Sequence, residues 1–143
     1  MILFCDTSAL VKLHVQEEFS GQMLSLGSRA QAIAVSRIAW AETMAALARR
    51  AREVPADAPV IESCKKGFQE AWATYAIVEI NQPLVELAGD LADAFALRAY
   101  DSVQLASAKS LKQHAPDDLI FACFDRRLQK AATMMGIESY GGD

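Results

Sequence analysis

Several things are scarce in this sequence, and each scarcity excludes a class of protein. There is no apolar run of about 18 residues, the length needed to span a bilayer as a helix, and no basic stretch followed by an apolar segment and a small-residue cleavage site at the start. The expectation is a soluble, cytoplasmic protein without a membrane partner. Only two histidines, His14 and His114, occur, and no HExxH, P-loop, GxSxG or GxGxxG pattern is present. Zinc hydrolysis, nucleotide-triphosphate binding, serine esterase chemistry and dinucleotide binding therefore have no foothold. Three cysteines, Cys5, Cys64 and Cys123, cannot all pair. Two of them lie in apolar strand-like runs, where a free thiol behaves as a small hydrophobe, which suits a reducing compartment. No repeat or low-complexity tract is found.

What is present is a 143-residue chain, 52% hydrophobic and 22% charged, with a net charge of -4. That is enough for a single domain over residues 1–143 with its own core. It is too acidic for a broadly cationic nucleic-acid coat, so any contact with nucleic acid must be local. Strand-like runs recur at 2–5, 33–36, 75–80, 119–124 and 137–140. Helical periodicity fills 8–16, with a further turn near 19–27, and then 38–52, 57–72, 83–98, 102–113 and 126–135, with breaks at 53–59 and 113–118. Within 38–52, Trp40, Met44 and Leu47 share a helical face and predict a core contact. Such alternation predicts an α/β fold, a three-layer α/β/α sandwich around a mainly parallel, Rossmann-like sheet.

Four acids stand out against apolar surroundings. Asp6 closes the first strand run, and Asp125 closes Leu119-Ile-Phe-Ala-Cys-Phe124, each just before a helix. Ligands of open α/β sheets bind at such carboxyl ends, near the point where strand order reverses. Glu42 and Asp101 are the lone acids of Ser36-Arg-Ile-Ala-Trp-Ala-Glu-Thr-Met44 and Leu97-Arg-Ala-Tyr-Asp-Ser-Val-Gln-Leu105. Helix capping is an ordinary alternative for Asp6, Asp101 and Asp125. It does not account for Glu42, which lies within a helix. Four carboxylates in one pocket would suit an all-oxygen site for a hard cation, Mg²⁺ or Mn²⁺.

Four stretches together resemble the PIN-domain nucleases, in particular the VapC toxins of type II toxin-antitoxin pairs. They are Phe4-Cys-Asp-Thr-Ser-Ala-Leu-Val-Lys-Leu13, Val35-Ser-Arg-Ile-Ala-Trp-Ala-Glu42, Leu97-Arg-Ala-Tyr-Asp-Ser-Val-Gln-Leu-Ala106 and Phe124-Asp-Arg-Arg-Leu-Gln-Lys-Ala-Ala132 leading to Gly136. The resemblance implies a PIN-like sheet and a Mg²⁺- or Mn²⁺-dependent endoribonuclease held in check by a small antitoxin, most often as a homodimer. It maps the family's acid quartet onto Asp6, Glu42, Asp101 and Asp125, with Asp6 and Asp101 as principal metal ligands. Thr7 or Ser8 takes the place of the hydroxyl that orients water at the metal. Arg37, Arg98, Arg126 and Arg127 would meet RNA phosphates, with Lys109, Lys112 and Lys130 as further rim cations. The run Arg49-Arg50-Ala51-Arg52 reads instead as a solvated helix end.

Three positions depart from the family pattern. Ser102 and Gln104 stand where alanine and an aromatic or histidine are common, and Cys123 replaces a usual threonine or serine. The alternatives carried forward are a PIN-domain RNA-processing nuclease without an antitoxin, and a non-catalytic receiver-like or protein-binding α/β module.

Overall fold

The computed structural model describes residues 1–115 and 118–142. Five strands, β1 (Ile2–Cys5), β2 (Ala32–Ser36), β3 (Ala76–Val78), β4 (Leu119–Ala122) and β5 (Glu138–Tyr140), form one sheet in the order β3-β2-β1-β4-β5. Every pairing is parallel. From the central β1 the chain builds outward through β2 and β3, then returns to add β4 and β5 on the other side. The strand order therefore reverses between β1 and β4, and their carboxyl ends frame the crevice where such sheets hold ligands.

Helices α1 (Thr7–His14), α2 (Ser20–Arg29), α3 (Ala39–Glu53), α4 (Ala58–Trp72), α5 (Gln82–Phe95), α6 (Ala99–His114) and α7 (Arg126–Met134) supply the outer layers. The side-chain alternation of β1 sorts them. Leu3 and Cys5 point to one face, into a core with Leu10 of α1, Met23 of α2, Ala39 of α3 and Phe68 of α4. Phe4 points to the other, with Leu84 of α5, Leu105 of α6, Leu128 of α7 and Phe121, whose ring stacks on it at 5.7 Å. A period of two thus assigns four helices to one side and three to the other. Each fully buried Leu or Phe contributes about 1.5–3 kcal/mol. The sandwich expected from sequence is the one observed.

Several boundaries shift for identifiable reasons. The break at 53–59 holds a single 3-10 turn at Pro55–Asp57 before α4, with Pro59 in the first turn of that helix, where its missing N–H costs nothing. The other expected break includes Pro116 and Asp117, which lie outside the described residues. Trp40 is not a core residue on a par with Leu47: it is 37% exposed and packs on Phe68 and Trp72 at the rim between α3 and α4. Arg50 is tied to Glu17, so the basic end of α3 anchors the segment between α1 and α2 rather than being only solvated. All three cysteines are free, Cys5 and Cys123 within the core. Among the described residues no helix is long and apolar enough to cross a membrane.

Candidate active site

The register of β1 against β4 ends at Cys5 opposite Ala122, and the Asp6 N–H extends the ladder to the Ala122 carbonyl at 3.1 Å. Asp6 is therefore delivered to the crevice by the sheet itself. It also caps α1, because its Oδ1 accepts from the Ala9 N–H at 3.0 Å. Capping and site placement coexist in one residue. Ser8 Oγ donates to the same Oδ1 at 2.6 Å and accepts from the Phe124 N–H at 3.0 Å, which binds the start of α1 to the segment leading to Asp125. Asp6 is 4% exposed, and burial pushes its carboxyl up to about 6. The contacts from Ser8, Ala9 and the Cys123 thiol oppose that rise, and the charge of Asp101 adds to it.

Glu42, in the first turn of α3, enters the crevice from the β2 side. Its Oε1 accepts from Thr7 Oγ1 at 3.0 Å and from Gln104 Nε2 at 2.8 Å, and Gln104 Nε2 also donates to Thr7 Oγ1 at 3.2 Å. This closed triangle joins α1, α3 and α6. Burial, again helped by the charge of Asp101, raises the Glu42 carboxyl above its usual range. Gln104 is 2% exposed, and its Oε1 has no hydrogen-bond partner among the described residues. A buried acceptor left unpaired costs about 1–3 kcal/mol. Such an atom beside the acids is a position for a water or hydrated ion to donate into.

Asp101 and Asp125 make up a more open half. Asp101 is not a cap: α6 begins at Ala99, so Asp101 belongs to its first helical turn. Its Oδ2 accepts from Arg98 Nε at 3.2 Å. Asp125 lies three residues past the end of β4, not directly on the strand, and caps α7 by accepting from the Leu128 N–H at 2.9 Å. Arg98 also approaches Asp125 Oδ2 at 3.9 Å, with 79% of its own side chain exposed. Asp101 and Asp125 line a depression of about 460 Å³ with Arg98, Arg126 and Arg127. Arg37 does not line it and pairs with Glu79 instead.

The sequence noted Gln104 and Cys123 only as departures from a pattern, and the structure gives both a contact in the crevice. Cys123 Sγ accepts from the Asp125 N–H at 3.4 Å and lies close enough to Asp6 for its thiol to donate toward that carboxyl. A thiol thus stands in for the hydroxyl usual there. The signal for Gln104 was available in Asp101-Ser-Val-Gln-Leu-Ala-Ser-Ala108, where it is the lone amide, one turn after an acid and on the same helical face.

The donor chemistry fits a hard divalent cation: the acids offer only oxygen, two are desolvated, and Asp101 raises the carboxyls of both Asp6 and Glu42. The side-chain positions are not those of a finished ligand set, because no three acidic, histidine or cysteine groups converge at ligand geometry among the described residues. Bringing Asp101 and Asp125 to a shared ion requires parting them from Arg98. That pair is exposed on the arginine side and worth about 0–1 kcal/mol.

A parallel α/β sandwich with a carboxylate crevice at its switch point is the class that fold and site define. The chain belongs to the PIN-domain family, whose sequence profile matches residues 3–133. It is 34% identical to Ribonuclease VapC49 of Mycobacterium tuberculosis over 135 residues, 94% of this chain and 92% of that protein. Its fold is similar to the crystal structure of PAE2754 from Pyrobaculum aerophilum (TM-score 0.70, 19% identity, 97% of this chain and 92% of that one). It is likewise similar to a chain of a toxin-antitoxin complex from Klebsiella pneumoniae (TM-score 0.63, 22% identity, 92% and 90%). Membership in this family sets aside the receiver-like alternative.

Proposed function

We propose that the chain is a Mg²⁺- or Mn²⁺-dependent endoribonuclease and the toxin half of a toxin-antitoxin pair. The observation that carries this reading is the buried, desolvated Asp6, placed by β1 within electrostatic reach of Asp101, in a PIN-domain chain whose relatives are named VapC ribonucleases. Asp6, Glu42, Asp101 and Asp125 would hold the metal. When bound, the cation activates water and neutralises charge growing on the phosphoryl and leaving oxygens.

The chain's own residues supply the rest. Ser8 and Ala9 fix the Asp6 carboxylate through its Oδ1. Thr7 and Gln104 fix Glu42 through its Oε1. Arg98, Arg126 and Arg127, at the rim of the acid depression, offset the repulsion between carboxylates and the phosphates of RNA. Arg98, which pairs with Asp101 and approaches Asp125, would be available to a phosphate if those acids held a cation. An acidic crevice also suits a basic side chain of an inhibitory antitoxin, and a homodimer is the expected assembly.

The purified protein is expected to cleave RNA with Mg²⁺ or Mn²⁺, to stop in EDTA and not to be rescued by Zn²⁺. Full-rate cleavage in excess EDTA would remove the metal mechanism. Co-expression with a small gene adjoining its own is expected to restore growth and give a co-purifying complex. Normal growth on expression of the active chain alone would contradict the toxin assignment.

A further inference from the structure

Beside the acid depression lies a second one of about 650 Å³, within the ~300–1,000 Å³ range of small-ligand sites. Arg126 lines both. On α7, Arg126, Gln129 and Lys130 follow one another at helical spacing along its edge, and Ser139 of β5 adds a hydroxyl. Residues 126–137 contain three cations and no acid, on a chain whose net charge is -4. Lys130 makes no ion pair among the described residues. Its positive charge is therefore not neutralised locally.

The opposite wall is aromatic. Phe19 and Phe124 stack with ring centroids 5.5 Å apart, and Lys12 Nζ lies 4.6 Å from the Phe124 centroid. Phe19 is held at φ 67°, in the left-handed region where a bulky residue is strained. The end of the chain closes on it at Gly142, where a Cβ would lie 2.9 Å from the Phe19 ring. Backbone strain and a glycine contact thus hold one ring in a half-open polar depression. The interior core needs neither.

We propose that this depression is a nucleotide subsite for single-stranded RNA: Lys130 and Arg126 bind the phosphate next to the one at the acids, and the base lies against the Phe19–Phe124 wall. The two rings cover each other, Lys12 lies over Phe124 and Gly142 closes on Phe19. The base therefore meets the edges of this pair as apolar surface, while the flanking cations supply the sequence-independent attraction for the backbone. The inference rests on the nuclease reading, since it orients the strand from the acid crevice along α7.

The test is fluorescence anisotropy of a labelled mixed-sequence single-stranded RNA against the full chain in EDTA over a salt series, with cleavage assayed separately in Mg²⁺ and in Mn²⁺. Lys130→Glu is expected to weaken binding about tenfold, as loss of one charged hydrogen bond does. It should also flatten the salt slope by about 0.7, because one phosphate fewer is neutralised. Lys66→Glu on α4, which lines neither depression, makes the same charge change and should leave affinity within about twofold of the parent. The parent should prefer this RNA over an abasic strand of equal length, and Phe19→Leu should lose that preference. If Phe19→Leu does not fold, the two lysine variants still decide. Equal losses in Lys130→Glu and Lys66→Glu, no loss in Lys130→Glu, or no binding by the parent would overturn the subsite. The expected binding pattern without cleavage in either Mg²⁺ or Mn²⁺ would overturn the nuclease reading and leave the subsite standing.

Discussion

Asp6 and Asp125 both follow strands of one sheet and both cap a helix, yet they belong to halves of the crevice built in opposite ways. Asp6 is buried and Glu42 half-buried, burial raises both carboxyls, and each has one oxygen fixed by two donors. Around Asp101 and Asp125 the carboxylates are half-buried and share a largely exposed Arg98. The first half is held in advance by the fold. The second can be rearranged by breaking contacts of small value. If the site admits both a hydrated cation and a polyanion, as proposed, it would gain from this division, because the fixed side would set the ion's position and the loose side would adapt to it.

The largest effects should come from removing one charge from each half. Asp6→Asn and Asp101→Asn should each lower cleavage at least ~100-fold, since even the outer partners of metal ligands are worth 10–100-fold. Their stabilities should then diverge. Asp6→Asn keeps the α1 cap while removing a desolvated charge, so without metal at neutral pH it should melt above the parent. Asp101→Asn should melt close to it. Parallel shifts in both variants, measured by thermal denaturation in EDTA, would erase the distinction between the halves.

Asp6 also sets a pH dependence. Its carboxyl rises on folding from an ordinary 3.8 to about 6, so the folded chain holds that proton more tightly than the unfolded one. The stability this confers is complete below about pH 4 and is lost as pH rises through about 6. It amounts to about 2–3 kcal/mol by linkage. Relative to Asp6→Asn, the metal-free parent should therefore gain stability between pH 7 and pH 4. A difference between the two that stays constant over that window would show that Asp6 is not desolvated.

Gln104→Leu tests the fixed half through a residue that is not an acid. It removes a donor to Glu42 and the unpaired Oε1 together, so the stability changes partly offset while Glu42 loses its alignment. Cleavage should fall ~10-fold, with weakened Mn²⁺ affinity, and Gln104→His should recover part of both. A variant that only melts lower and binds Mn²⁺ as the parent does would make Gln104 a packing residue. The smallest effect is expected from Arg98→Ala in the loose half, where stability should change by less than ~1 kcal/mol.

The fold was largely legible because its signals are local. Among the described residues, apolar runs marked the five strands and periodicity marked six of the seven helices to within a few residues, while α2, a ten-residue helix, was expected only as a turn near 19–27. The acids were visible as lone charges in apolar stretches. What sequence could not supply was their inequality. Asp6 and Asp125 each precede a helix, and only the register of β1 on β4 and the two further residues after Ala122 separate a buried carboxylate from a half-exposed one. Arg98 and Asp101 are three apart in the chain, but the left-handed turn at Ala96, φ 55°, a conformation usually given to glycine, ends α5 and sets where α6 begins. The Thr7, Glu42 and Gln104 triangle joins residues up to 97 positions apart, and no pattern within one helix encodes it.

The proposed mechanism depends on the four acids forming a single divalent-cation site, assembled from a fixed and an adaptable half. Isothermal titration of Mn²⁺ into the metal-free parent, Asp6→Asn and Asp101→Asn examines that dependence without recourse to RNA. Saturable binding by the parent and its loss in both variants are expected, with each fold intact by circular dichroism. Undiminished Mn²⁺ binding by both variants, or a parent that binds no Mn²⁺ while cleaving RNA, would contradict a shared site.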